Sequence, residues 1–194
     1  MFIDFLTLML TNLVVALVLF ALFIGRLIDR DAKKVVPGFL LTGFIALVMG
    51  FRMVFTWPLP GPYNFAYGEM TVLYGGFFFV AGLAIAIGWD LITVGIYAFF
   101  AGIAAVIIGV RILGLGLTSE PVVAFAGFVL TGISAILTLP ALFFKEAKVL
   151  RVILAILLLV CAVIWAFVGY SAYWQHFDAF AKWAPSTMLP AAPK

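Results

Sequence analysis

Apolar positions fall into six long runs, at roughly 4–28, 36–57, 69–88, 90–114, 121–144 and 149–173. A helix needs about 20 apolar residues to cross the hydrocarbon of a bilayer. Each run has about that length, so the pattern predicts an all-α polytopic membrane protein with six transmembrane helices. The third and fourth runs nearly touch at GWD (88–90), where Gly88 and Asp90 break them into a tight hairpin. Beyond 173 the pattern changes. In WQHFDAFAKWAPSTMLPAAPK the apolar positions 174, 177, 180 and 183 share one face of a short interfacial helix, followed by a Pro-rich end. Residues 1–173 therefore read as the six-helix domain and 174–194 as an outer-face interfacial tail.

Composition agrees with this reading. The chain has 194 residues, of which 67% are hydrophobic and 10% charged, and its mean hydropathy is +1.31. Soluble domains are nearer half apolar and a quarter charged, so this chain cannot cover itself with polar surface, and the bilayer is its solvent. The net charge of +3 comes from short loops and not from a basic stripe, which excludes a nucleic-acid reading. The single Cys161 lies in an apolar run and reads as a small buried hydrophobe. MFIDFLTLML lacks the basic start of a secretory signal, so the first run is expected to be a retained helix.

Lys and Arg set the expected orientation. The first loop carries Arg26, Arg30, Lys33 and Lys34, and the fifth carries Lys145, Lys148 and Arg151. The opposite side has only Lys182 and Lys194, in the tail. Loops one, three and five are thus expected to be cytoplasmic, with both termini outside the cell membrane.

One internal echo stands out. GFLLTGFIALV (38–48) resembles GFVLTGISAIL (127–137), in helices expected to run in opposite directions. Two inverted three-helix halves would give that pairing, a plan common among transporters. Both segments space small residues by four: Gly38, Thr42, Ala46 and Gly50, then Gly127, Thr131 and Ala135. Such stripes let helix backbones approach closely.

Charges within the spans are the candidate chemistry. A charge at mid-membrane costs roughly 3 kcal/mol or more and usually pairs with another or faces water. Arg52 and Arg111 lie near the outer ends of helices two and four, and Glu69 and Asp4 open helices three and one on that face. An Arg52–Glu69 or Arg111–Glu69 ion pair would form a polar vestibule. In the alternative, the arginines snorkel to the interface and Glu69 only caps its helix. Asp90 is expected to cap helix four.

The rest of the chemistry is sparse. The one histidine, His176, lies in the tail, which excludes a bis-histidine haem within this chain. No Cys/His spacing suits a metal, no Ser/His/Asp set can be argued from position, and no cofactor or enzymatic activity is expected. Asn12 in helix one can hydrogen-bond across helices. Trp57, Tyr63, Tyr67, Trp174 and Trp183 fall where a headgroup-level aromatic belt belongs. Trp57, Phe78 and Tyr97, with Asn12, are candidates for lining a narrow aromatic pore or for packing.

Two resemblances follow from quoted residues. FTWPLPGPYN (55–64), YGEM (67–70) and IYAFFAG (96–102) resemble a family of small bacterial and archaeal membrane proteins of unknown function. The six-helix plan, with YGGFFFVAGLAIAIGWD (74–90) followed by IYAFFAGIAAV (96–106), is similar in architecture to the amide/urea channel family. Helix five here has no tryptophan, unlike the pore of that family. The second resemblance implies an oligomer with a solute path in each protomer.

The expected function is a channel or facilitator for a small, largely uncharged solute, with membrane lipids and other copies of the chain as partners. The alternative is an accessory subunit of a larger respiratory or oxidase complex.

Overall fold

The computed structural model describes residues 5–144, 146–181 and 183. Among the described residues there are six helices long and apolar enough to cross a membrane. The protein is a multi-pass membrane protein. α1 spans Phe5–Leu22 and continues through a π-helical turn at Phe23–Leu27. α2 spans Val36–Thr56, α3 Met70–Ile87, α4 Ile92–Leu115, α5 Pro121–Phe143 and α6 Lys148–Phe180. A π-helical segment, Asn64–Glu69, leads into α3.

The six elements match the six apolar runs, with two corrections. The third span starts at Asn64, not at 69, because the chain coils as soon as the prolines of WPLPGP are passed. No break separates the sixth span from residues 174–180, where the tail is expected to begin. α6 runs unbroken to Phe180, because nothing between 174 and 180 is a helix breaker and the next proline is Pro185. Residues 184–194 lie outside the described residues.

The helices form a closed ring in chain order, with α6 packed back on α1. Glycines set the closest approaches. A Cβ on Gly43 would collide with the backbone of Phe79, so α2 and α3 touch main chain to main chain. Between α4 and α5, a Cβ on Gly102 would lie 2.5 Å from the Gly132 carbonyl oxygen. Helices in lipid associate by such close packing and by interhelical hydrogen bonds, since burial from water no longer drives them together.

The echo has a structural counterpart. Gly38 packs on Leu19 of α1, and Thr42 receives Asn12 of α1 at its carbonyl; Gly43 then meets α3. Gly127 packs on Trp165 of α6, and Thr131 receives the Trp165 indole N–H; Gly132 then meets α4. Equivalent positions do equivalent work. The correspondence is α2 with α5, α1 with α6 and α3 with α4. A repeat of two halves in the same order would instead match α1 with α4 and α3 with α6.

Candidate functional site

The charged residues near the distal end, where the described chain begins and α6 ends, do not converge. Arg52, Glu69 and Arg111 are each exposed, and none forms an ion pair among the described residues. The expected Arg52–Glu69 and Arg111–Glu69 pairs are therefore not made within the chain. Helical phase explains why. α2 turns Gly43, Ala46, Gly50 and Met53 inward; at 3.6 residues per turn Arg52 falls roughly 160° from the edge that meets α3. Glu69 follows Gly68, which packs on Met53, and turns outward. Asp4 lies outside the described residues. Trp57 is exposed and ends α2 in a left-handed conformation at φ 46°. Tyr97 is exposed beside Gly76 on the surface where α3 meets α4.

The prolines near Arg52 are held by a residue with no charge. Asn64 is fully buried; its amide accepts the Leu59 N–H and donates to the Leu59 and Gly61 carbonyls. Tyr63 accepts the Thr118 N–H at 3.0 Å, which ties the two distal turns together.

Polar groups meet instead inside the ring. A cavity of about 50 Å³ lies between α1, α2, α3, α5 and α6, room for a few water molecules. Asn12 and Phe78, both candidates from the sequence, line it. Asn12 donates its amide nitrogen to the Thr42 carbonyl at 2.8 Å. Thr131 accepts the Trp165 Nε1–H at 2.9 Å. Tyr67, Thr71 and Tyr74 complete the polar lining, and no charged side chain is part of it. The Tyr74 hydroxyl is buried and has no hydrogen-bond partner among the described residues. Buried polar side-chain atoms nearly always have one. Tyr67 belongs to this wall and not to a surface belt: its ring meets Phe128 edge-on at 5.5 Å.

A second cavity of about 20 Å³ abuts the first and shares Leu13, Tyr74, Phe78 and Thr131 with it. Phenylalanines close the axis beyond. Phe78 packs edge-on against Phe77 at 5.0 Å and Phe39 at 5.4 Å, and Phe20 meets Phe77 at 5.3 Å. Past this cluster, at the end that carries the basic loops, lies a cavity of about 300 Å³ lined by Asp29, Trp89, Asp90 and Arg151 among others. Asp90 accepts the Ile92 N–H at 2.7 Å, the helix-capping role expected for it. Arg151 is buried and donates to both carboxylate oxygens of Asp29, at 2.8 and 2.7 Å.

Among the described residues no cluster of His, Cys, Asp and Glu could hold a metal ion. The arrangement can bind a small neutral molecule: it offers hydroxyl donors, the amide oxygen of Asn12 and aromatic faces. Sequence reading missed Tyr74, Thr71, Trp165 and Arg151. A signal for the first two exists, because Tyr67, Thr71, Tyr74 and Phe78 repeat at helical spacing along one face.

Residues 1–179 match the family described as "Protein of unknown function (DUF981)", and the chain belongs to that family. No curated protein and no solved structure matches the chain. The resemblance to a family of unknown function is thus established, and the likeness to amide and urea channels gains no support.

Proposed function

We propose that this DUF981 member is an integral membrane channel or facilitator for a small, largely uncharged solute, held on its way in the axial cavity. The observation that carries the reading is the Tyr74 hydroxyl, buried beside an axial cavity and without a partner. An unsatisfied buried hydroxyl costs about 1–3 kcal/mol, which a hydrogen-bonding solute or a water would recover. The lining has no charge to compensate an ion, and stripping an ion of water is expensive. Neutral molecules with both a donor and an acceptor fit best. The Phe20–Phe77–Phe78–Phe39 cluster would act as a hydrophobic constriction below the cavity.

The basic loops support an orientation in the plasma membrane with loops one, three and five cytoplasmic and both termini outside. The cavity then lies towards the outer leaflet and the Asp29–Arg151 recess faces the cytoplasm. The role is non-enzymatic.

Swelling of proteoliposomes in small amides, ammonia and short undissociated acids tests the proposal. Flux above empty liposomes for at least one solute, reduced by Tyr74→Phe, is expected. No flux above empty liposomes for all of them would overturn it. Redox subunits that co-purify in mild detergent, together with absent flux, would point to an accessory subunit of a respiratory or oxidase complex.

A further inference from the structure

Arg52, Glu69 and Arg111 are exposed charges with no ion-pair partner among the described residues. Arg52 lies five residues before Trp57, where α2 ends; Glu69 lies five residues into the third span; Arg111 lies four before Leu115, where α4 ends. At about 1.5 Å per residue, all three sit roughly 6–8 Å inside the distal end. They occupy neighbouring helices of the ring in the order plus, minus, plus. Each is exposed on the outward side, and none has an ion-pair partner among the described residues.

We infer that the distal outer surface of α2, α3 and α4 meets a second copy of the chain, in which Glu69 of one copy pairs with Arg52 or Arg111 of the other. Oligomers in a membrane are related by rotation about the membrane normal, and such a rotation leaves every residue at its own depth. Only charges of opposite sign at one depth can then meet, and the distal surface carries both signs at one depth. Arg52 is turned away from α3, so pairing it with Glu69 would join two different faces, as in a cyclic ring, whereas Arg111 is on the helix next to Glu69. Lipid phosphates are the rival partner, and Glu69 decides against them. Arg52 and Arg111 can snorkel to a headgroup phosphate on their long stems. Glu69 has a shorter side chain and the sign that phosphate repels, so a phosphate does not serve it, whereas an arginine of a second copy would. The inference stands independently of transport.

The test is association measured in vesicles of zwitterionic phosphatidylcholine, which has no net charge, by energy transfer between donor-labelled and acceptor-labelled copies at decreasing protein-to-lipid ratio. The wild type is expected to associate. Glu69→Arg is expected to weaken association about ten-fold, the scale of a polar contact between membrane helices, and Glu69→Gln several-fold. Combining Glu69→Arg with Arg52→Glu or with Arg111→Glu is expected to restore association for one of the two swaps, which identifies the partner arginine. Unchanged melting of the single variants in detergent separates lost association from lost folding. A wild type that stays monomeric, association indifferent to Glu69→Arg, failure of both swaps, or association that appears only when anionic lipid is added would each overturn the inference.

Discussion

Arg151 and Arg52 are the same side chain near the ends of spanning helices, at opposite ends of the bundle. Arg151 is 4% exposed and holds Asp29 with paired hydrogen bonds; it also reaches the Ala141 carbonyl at 3.4 Å. Arg52 is exposed and has no ion-pair partner among the described residues. Depth does not separate them, since Arg151 is three residues into α6 and Arg52 four from the end of α2. Phase does. Arg151 continues the stripe Leu154, Leu158, Cys161, Trp165 and Gly169 that faces the ring interior. Arg52 falls between the inward positions of α2. A guanidinium carried inward must bring its counter-charge with it, whereas one carried outward can be left for headgroups or a neighbour.

The largest expected effect comes from breaking the buried side of this contrast. Asp29→Ala removes the carboxylate that holds the buried guanidinium; because Asp29 is itself 61% exposed, water offsets part of the loss, and stability should fall by about 1.5 kcal/mol. Glu69→Ala, made in monomeric protein in detergent, should change stability by no more than about 0.5 kcal/mol, as for other exposed sites. Unfolding curves of the two variants in the same detergent check this. Equal losses would mean that both ends use their charges to hold the chain together.

The same contrast marks what could be read from sequence. Six spans were legible because about 20 consecutive apolar residues have few alternatives in a bilayer; the second run, 36–57, corresponds to α2 at Val36–Thr56. Asn12 was legible as a polar residue with no water to satisfy it, and it does bridge to α2. Arg151 was read as one more basic loop residue. The run that starts at 149 already takes Arg151 into the sixth helix, but nothing in it tells which face meets Asp29. Tyr74 and Thr71 looked like filler, because lipid-facing and ring-facing positions of these helices are equally apolar. Helices that are hydrophobic all round give little phase signal. Small residues were the better guide, since Gly43, Gly102 and Gly132 mark the faces where backbones touch.

A smaller effect, of opposite sign, should appear at Tyr74. Its hydroxyl is one of three buried side-chain polar atoms, with those of Thr11 and Thr118, that have no hydrogen-bond partner among the described residues, where the other end pairs its buried group. Tyr74→Phe keeps the ring between the two cavities and deletes only the unpaired oxygen. Stability should rise by about 1 kcal/mol, the lower part of the cost of an unsatisfied buried group. A loss of similar size would show that the hydroxyl is already bonded, to ordered water or to a neighbour that has moved. Thermal melting in detergent with and without small amides sharpens the distinction, because a solute bound at the hydroxyl would raise the wild-type Tm and leave the variant's unchanged.

The smallest effect is expected at Arg52. Arg52→Gln leaves the inward residues Gly50 and Met53 in place, and the hydrogen bond from the Thr56 hydroxyl goes to the Arg52 backbone carbonyl, which the substitution does not touch. Glutamine is as good a helix former as arginine. Stability in detergent should therefore stay within about 0.5 kcal/mol of wild type. A drop above about 1 kcal/mol would instead give Arg52 a partner inside its own chain. That result would erase the difference between the two ends, because the distal arginine would then hold the fold as Arg151 does. If stability holds and association in vesicles falls, the two ends divide the labour: one arginine closes the ring and the other joins it to its neighbour.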